Sequence, residues 1–552
     1  MFTQSRGRRI ATVAASVAAA CMTLSACSGT ASSPDTDGSN AGGAYKLSAT
    51  TPEPAGKIDS FTWSIYAEPQ SLSYAYAFDY PPNQILSNVC ESLLRWNADL
   101  SYSAGLATKW ENPTPKSWVY TIRKGVKFHD GTTMTADDVA ASLNYHLDTK
   151  VGSYWNTVFQ NVESIKKSGQ DEVTVTLARP DSQFNQYMAA SPGTVESAAT
   201  LKEGGADYGN PSTGVNCTGP FSFDTWAPGK SITLKRFGDY WDSSLKAKAG
   251  AVKFVFLQDP NTRVNAWQSG QVDGGWVVPA NSYDQLRKNG AGSLYFGTNS
   301  TVANEIVSNL DGPLGDKRVR QALLMATDRS GVVKAGEQGV GEVAKSLTSK
   351  ATWVGIPDSD VEKYHASLPK YPYDVKKAKA LAAKAGVNGQ KIVIATSPLS
   401  ASTDIQAQAI ASAAKAIGLD PKIKTISPDQ YTALFSDPEA RKGIDLFSTL
   451  WYLSIGDPTD MYAVLRTGQF SNYGNWSNKA FDAAADKAVA SYSPTERAKH
   501  AAQAQQIAQE ELPWLPIYTL PTSLWLGNRI TGVQPSINFM YYPWAARIGA
   551  RK

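Results

Sequence analysis

The spacing of apolar residues changes near the middle of the chain. In the first half, short alternating runs predict β-strands, and in the second half apolar residues with helical periodicity alternate with strand-like runs. The strands are expected at 61–66, 173–177, 252–256, 391–395, 421–426 and 444–450, and helices at 316–328, 374–385 and 403–417. The helix–strand alternation predicts right-handed crossovers and a locally parallel sheet.

The last residues, 514–552, return to strand-like sequence rich in Trp and Tyr. A β-rich part, an α/β part and a β-like tail predict an α/β fold with two lobes, the first completed by the C-terminus. The chain would then pass between the lobes twice, near Thr298 and near Pro513, and two passages form a hinge. The expected division is lobe I at 45–80, 212–298 and 513–552, an inserted subdomain at 81–211, and lobe II at 299–512.

One stretch, residues 118–148, combines strands, a turn and a helix start. Thr135 and Asp138 have the spacing of a capping box, so a helix should begin at Ala136. His129, Asp130, Asp137 and Asp138 could form a metal or acid–base cluster, but roles in a turn and at a helix N-terminus account for them.

The N-terminus has the pattern of an export signal. Three arginines, Arg6, Arg8 and Arg9, precede an apolar stretch at 10–24 that is too short to span a bilayer. Leu24-Ser25-Ala26-Cys27 resembles the lipobox of bacterial lipoproteins, which implies a signal peptide at 1–26 and lipids on Cys27; a plain secretory peptide is the alternative. Residues 28–44 have the composition of a flexible tether. We therefore expect an extracytoplasmic protein held at the membrane by its lipid.

Charge and composition narrow the possible partners. The formal net charge of +4 falls to +1 without the three leader arginines, since 50 basic residues then face 49 acidic ones. Near-neutrality argues against nucleic acid as a partner. Aromatic residues make up 10% of the chain, more than packing usually needs, and would suit a binding cleft.

Besides the predicted lipidation site Cys27, the chain left after the predicted cleavage contains two cysteines, Cys90 and Cys217. An even pair outside the cytoplasm favours a disulfide. Two separately buried thiols remain the alternative, because the sequence does not supply the distance between them.

Motifs of catalysis are missing from the sequence. It contains no G-x-S-x-G, no H-E-x-x-H and no cysteine pair at metal spacing, and its four histidines are far apart. Ser412 and Lys415 have the S-x-x-K spacing of penicillin-binding enzymes, but no S-D-N or K-T-G accompanies them. The chain is therefore interpreted as a non-enzyme that needs no cofactor and no metal.

The stretch W-V-Y-T-I-R-K-G-V-K-F-H-D-G, followed by T-A-D-D-V, resembles the signature of the family 5 extracellular solute-binding proteins. These are the peptide, dipeptide and nickel receptors of bacterial ABC importers. The segments Gly219-Pro220-Phe221, Gly270 to Asp273 and Asp316 to Ala322 resemble further family motifs. The resemblance implies a three-part, two-lobed receptor without a cofactor, expected to be a monomer, whose partners are a small solute and an ABC permease with its ATPase subunits.

The segment 449–458 is the main candidate for the ligand site, because a buried strand there ends in aromatic residues at Trp451 and Tyr452. The resemblance implies that Trp451 packs against ligand. Peptide-binding members carry an aspartate, which pairs with the peptide ammonium, where this chain has Ser454. Asp457 or Asp460 would have to replace it, or the ligand lacks a free amine there. An ordinary core role for Trp451 and a helix-cap role for Asp457 are the structural alternatives.

Three further residues follow or begin predicted strands: Tyr66, Glu68 and Trp276. They are placed in the pocket by analogy with strand ends, and packing roles fit them as well. The sequence thus predicts a lipid-anchored receptor that delivers oligopeptides to an ABC permease. A receptor for a metal chelate or an oligosaccharide is the alternative, with a secreted hydrolase and a structural envelope lipoprotein more remote.

Overall fold

A computed structural model of the protein describes residues 45–398 and 400–552. The predicted signal peptide, Cys27 and the tether at 28–44 lie outside these residues. The described residues belong to one compact unit.

The strands, in chain order, are β1 Ile58–Ile65, β2 Glu91–Ser92, β3 Leu94–Trp96, β4 Tyr102–Ala104, β5 Ala107–Thr114, β6 Ser117–Ile122, β7 Val162–Gly169, β8 Glu172–Leu177, β9 Thr194–Val195, β10 Phe221–Ala227, β11 Ser231–Arg236, β12 Ala249–Phe256, β13 Gly274–Trp276, β14 Gly292–Gly297, β15 Val302–Val307, β16 Glu342–Val343, β17 Lys391–Thr396, β18 Asp420–Thr425, β19 Leu446–Trp451, β20 Trp514–Thr519, β21 Thr522–Gly527, β22 Ile530–Thr531 and β23 Gly549–Ala550.

The α-helices are α1 Tyr80–Val89, α2 Ala136–Tyr145, α3 Asn156–Phe159, α4 Phe184–Tyr187, α5 Ala198–Gly204, α6 Pro260–Gln268, α7 Tyr283–Asn289, α8 Lys317–Ala326, α9 Arg329–Gly336, α10 Asp358–Ala366, α11 Val375–Lys384, α12 Ala401–Ala416, α13 Pro428–Ser436, α14 Thr459–Val464, α15 Lys479–Ala490 and α16 Pro494–Glu511.

A seven-stranded sheet with the order β10-β11-β12-β1-β13-β21-β14 organises the first lobe. Strand β1 lies parallel to β12 and β13 near the centre. Its side chains Phe61, Trp63 and Ile65 are almost fully buried, and burial of such side chains stabilises a fold by about 1.5–3 kcal/mol each. Strand β21, from the C-terminal part of the chain, inserts between β13 and β14, so the first lobe is discontinuous.

A six-stranded sheet with the order β16-β20-β15-β19-β17-β18 organises the second lobe. Strand β17 runs parallel to both β18 and β19, which confirms the locally parallel sheet expected from the helix–strand alternation. Helix α12 packs on β17, β18 and β19. The fold is therefore of the α/β class in two lobes, as predicted.

The second passage between the lobes differs from the prediction. The sequence placed it near Pro513, but Trp514–Thr519 pairs with Val302–Val307 in the second sheet, and the chain reaches the first sheet only at Thr522. Pro513 follows the end of helix α16, but the chain stays in the second lobe until Thr519. The two passages, 298–301 and 520–521, lie side by side, because the Thr522 hydroxyl donates a hydrogen bond to the carbonyl of Thr298 at 2.8 Å.

A four-stranded sheet, β5-β6-β8-β7, lies within the first lobe and packs with α2. Helix α2 begins at Ala136 with the predicted capping box between Thr135 and Asp138. His129 is paired with the Gly219 carbonyl at 3.0 Å, and burial lowers its pKa to about 4. The structural interpretation of this stretch is therefore correct.

Cys90 and Cys217 form a disulfide with a Cα–Cα distance of 4.8 Å. Both residues are buried in the core of the first lobe. The bridge joins the end of α1 to the loop before β10, so it ties that helix to a strand of the main sheet.

Candidate ligand-binding site

The loops that follow β1 and β19 meet at the place where the two lobes face each other. The Tyr452 hydroxyl donates a hydrogen bond to the Phe78 carbonyl, and the rings of Tyr80 and Tyr452 are 5.5 Å apart. The Tyr80 hydroxyl also forms a hydrogen bond with the hydroxyl of Thr301, which lies in the first passage between the lobes, at 3.3 Å. We call this region the interlobe site.

Tyr66 and Asp79 form the wall of the site on the first lobe. The Tyr66 hydroxyl donates to the Asp79 carboxylate at 3.1 Å, and both side chains are half-buried. Burial chiefly, together with the charge of Asp79, raises the pKa of Tyr66. Asp79 also caps α1, because its carboxylate accepts from the Tyr80 amide at 2.7 Å.

Trp451 is the last residue of β19 and is half-buried. The ring centroids of Trp451 and Trp514 are 5.1 Å apart in an edge-to-face arrangement, and Trp514 in turn stacks on Tyr473. The Trp451 side chain is therefore held by packing against Trp514 but remains partly exposed. Both the core role and the ligand contact are compatible with this position.

Ser454 is buried, and its hydroxyl accepts a hydrogen bond from the Tyr541 hydroxyl at 3.3 Å. Its backbone amide donates to Asp460 at 2.9 Å. The position where peptide-binding relatives are expected to carry an aspartate is thus occupied here by a neutral side chain that is already bonded.

Asp457, the first possible replacement, is already paired with a cation. Its carboxylate forms an ion pair with Arg497 at 2.5 Å, accepts from Gln186 at 3.1 Å, and accepts from the Thr459 amide at 2.9 Å. Only 6% of the residue is exposed. These bonds favour a structural role, in which the carboxylate pairs with Arg497 and accepts from the first amide of α14. A ligand contact of Asp457 stays a prediction.

Asp460 is the second possible replacement, and it links the lobes. The Tyr187 hydroxyl, from α4 of the first lobe, donates to one carboxylate oxygen of Asp460, and the Ser454 amide donates to the other. Burial raises the pKa of Asp460 to about 6 despite these donors. Its carboxylate is engaged by neutral groups.

Glu68 and Trp276 are both engaged in contacts within the first lobe. The Glu68 carboxylate accepts from the Trp226 indole at 2.7 Å and from the Gly229 amide, so it holds the β10–β11 turn. Trp276 is 2% exposed and stacks on Phe539 at 4.5 Å. Both were predicted to line the pocket. Their contacts fit the packing alternative, and Trp276 is linked to the site through Phe539, whose ring is 6.0 Å from that of Tyr80. A ligand contact of either residue stays a prediction.

Several residues of the site were missed by the sequence analysis. They are the aromatic residues Phe78, Tyr80, Tyr154 and Tyr187, and the carboxylate of Asp79. The sequence Asp79-Tyr80-Pro81-Pro82 is a recognisable helix start with an N-cap and early prolines, but nothing local to it indicates a ligand site. The contact with β19 is formed only by the tertiary fold.

Two sheets joined by adjacent passages, with aromatic loops meeting between them, define a two-lobed periplasmic binding protein. The model of the bacterial extracellular solute-binding proteins, family 5 Middle, matches residues 101–473, and the chain belongs to that family. It is a solute-binding protein of an ABC importer, and the family is a non-catalytic class that works with permease components.

Known relatives match most of this chain. The chain is 25% identical over 435 residues to the glutathione-binding protein GsiB of Escherichia coli, covering 77% of this chain and 82% of the relative. The binding protein AgaA of A. tumefaciens R10, solved with agropinic acid, has a TM-score of 0.78 and 24% identity over 89% of this chain and 99% of its own. DppA of Helicobacter pylori, solved with the peptide STSA, has a TM-score of 0.79 and 20% identity over 90% and 99%.

Among the described residues, no helix has both the length and the apolar composition needed to cross a bilayer. The lipid anchor predicted on Cys27 lies outside the described residues.

Proposed function

We propose that this protein captures an oligopeptide, or a solute of similar build, in the interlobe site by closure of its two lobes, and delivers it to its permease. The observation that carries this proposal is the pair of adjacent passages beside a site to which both lobes contribute. Relatives that bind glutathione and the peptide STSA support a peptide-like ligand.

Closure is supported by the hydrogen bonds that join the lobes around the site. Besides Tyr452 to Phe78 and Tyr187 to Asp460, the Tyr492 hydroxyl donates to the Pro115 carbonyl at 2.8 Å. These bonds connect groups on different lobes, so they would break if the lobes separated. A ligand held between the lobes would add to them and favour the closed form.

A non-peptide solute is the second candidate. Ser454 favours it, because a neutral hydroxyl does not supply the charge that a peptide ammonium requires. The agropinic acid bound by AgaA shows that a protein of this fold takes other solutes.

A thermal-shift screen tests the two candidates on the secreted part of the chain, residues 28–552. The panel contains peptides of two to eight residues, their N-acetylated forms, oligosaccharides and nickel chelates. A ligand at 100 times its dissociation constant stabilises the folded state by about 2.7 kcal/mol, which raises the midpoint measurably. Stabilisation by peptides supports the first candidate, stabilisation only by sugars or chelates supports the second, and no stabilisation by any compound contradicts both.

We also propose that lipids on Cys27 hold the protein at the membrane. The basic start, the short apolar stretch and the lipobox-like Leu24 to Cys27 support this. Cells fed a labelled fatty acid should label the wild-type protein, and Cys27→Ala should abolish the label. Label retained by the variant would contradict the anchor.

A further inference from the structure

Among the described residues, neither Asp79 nor Asp460 at the interlobe site has a cationic partner, and Asp79 is the more exposed of these two carboxylates. Its bonding groups are the Tyr80 amide and the Tyr66 hydroxyl, both neutral. No Lys, Arg or His nitrogen of the described residues lies within 4.0 Å of its carboxylate. Asp457, by contrast, is neutralised by Arg497.

The surroundings of Asp79 are aromatic. Tyr66 bonds to it, and its neighbours Phe78 and Tyr80 carry rings that contact Tyr154 at 4.3 Å and Tyr452 at 5.5 Å. Tyr154 comes from the four-stranded region and is 37% exposed, and Tyr452 comes from the second lobe. The rings of Tyr154 and Tyr452 thus pack against the two residues that flank Asp79, and the Tyr66 hydroxyl bonds to its carboxylate.

Asp79 contributes to the pKa values of tyrosines in both lobes. Burial chiefly, and also the nearby Asp79 carboxylate, raises the pKa of Tyr431 in the second lobe and of Tyr154. Burial likewise raises the pKa of Asp79 itself, with the Tyr80 amide and the Tyr66 hydroxyl opposing the shift. The carboxylate thus lies in a partly buried position next to Tyr80, whose ring contacts Tyr452 of the second lobe.

A half-buried carboxylate without a counter-ion is costly, and a cation placed beside it would relieve that cost. Ring faces attract the same cation through their quadrupoles. The helix-capping role does not require the charge, because asparagine caps a helix as well as aspartate does.

We propose that Asp79 is the anchor for a cationic group of the ligand, an ammonium or a guanidinium, and that the aromatic rings of the interlobe site enclose that group. The inference rests on the proposed function and names the ligand class: solutes with a positive charge. The first lobe would then supply the charge that Ser454 on the second lobe does not.

Matched ligands and one substitution test the inference. Residues 28–552 are titrated by calorimetry with trialanine, its N-acetylated form and its N-trimethylated form, together with the most stabilising compound of the thermal-shift screen. The trimethylated peptide keeps the charge and loses the N–H donors. Each is measured on the wild type, on Asp79→Asn and on Asp259→Asn, which removes the charge of an N-cap followed by proline at α6, outside the interlobe site.

The expected result is that wild type binds the charged peptides and that Asp79→Asn weakens both by about tenfold or more, while Asp259→Asn changes them by less than about twofold. The thermal midpoint without ligand should stay close to wild type for Asp79→Asn, because the cap is retained.

Three results would overturn the inference and leave solute binding intact: a charged ligand that binds Asp79→Asn as tightly as wild type, equal weakening of acetylated and charged peptides, or tight binding restricted to neutral or anionic compounds. If wild type binds no compound of the panel, the proposed function fails, and this inference fails with it.

Discussion

The Tyr187 hydroxyl donates a hydrogen bond to the Asp460 carboxylate, and this bond joins α4 of the first lobe to α14 of the second. It lies beside Ser454, whose amide donates to the other oxygen of the same carboxylate. The buried Asp460 carboxylate thus bonds both to the first lobe and to the segment of the second lobe where relatives are expected to bind ligand.

Removing that donor should weaken ligand binding more than stability. In Tyr187→Phe the closed form loses a hydrogen bond to a charged acceptor, which is worth about 1.5–3 kcal/mol, so ligand affinity should fall by roughly tenfold or more. Calorimetry with the best ligand of the screen measures the change. Tyr371→Phe is the control, because its hydroxyl bonds to Gln509 within the second lobe and its loss should leave affinity unchanged. Equal effects of the two variants would contradict a role for Tyr187 in closure.

Asp460 should make stability depend on pH. Its pKa is raised by burial to about 6, so between about pH 4 and pH 6 the folded protein binds a proton that the unfolded chain releases, and the stability contributed by this proton is lost as pH rises through that range. Asn does not titrate, so in Asp460→Asn this loss of stability with rising pH is absent. Relative to wild type, the variant should gain about 2–3 kcal/mol between pH 4 and pH 7.

Denaturant unfolding at several pH values measures that difference. Glu196, Glu305 and Glu337, whose pKa values are also raised by burial, contribute equally to both proteins and cancel. Parallel stability profiles for the two proteins would show that Asp460 titrates normally.

The ion pair between Asp457 and Arg497 should be structural. Both side chains are mostly buried, and removal of one partner leaves the other unpaired, so Arg497→Met should destabilise the protein by about 3–5 kcal/mol. Lys442→Met, which breaks an exposed pair with Glu439, should cost less than about 1 kcal/mol. If Asp457→Asn abolished the preference for free over acetylated peptides, Asp457 would be the ammonium partner after all.

The disulfide should contribute substantially to stability. Cys90 and Cys217 are separated by 127 residues, and replacing both with serine should cost about 2–5 kcal/mol. Denaturant unfolding with and without reductant measures this. Reductant should lower the stability of wild type, residues 28–552, and leave the double variant unchanged. No effect on wild type would indicate that the bridge is absent in solution.

Much of the fold was predictable because its signals are local. The capping box of Thr135 and Asp138 marks the start of α2, and the strand–helix alternation from β17 to β19 predicts their parallel pairing. The end of lobe II was not predictable in the same way. Trp514–Thr519 is an apolar strand that would suit either sheet, and its pairing with β15 depends on a partner about 210 residues away in the chain.

The site was predicted less completely than the fold. Trp451, Tyr452, Ser454 and Tyr66 end or follow the strands β19 and β1, whose loops meet between the lobes, and their contact with ligand stays a prediction. Asp79 carries a local signal for a helix cap and none for a ligand. Its role depends on which rings and charges the fold places around it.

The most direct test of the account is a crystal structure of residues 28–552 with the ligand that stabilises them most. The account predicts that the ligand lies between the lobes, in contact with Tyr66, Asp79 and Trp451, with its cationic group next to Asp79. A ligand bound on the outer surface of either lobe, or between the lobes without contact to these residues, would contradict it.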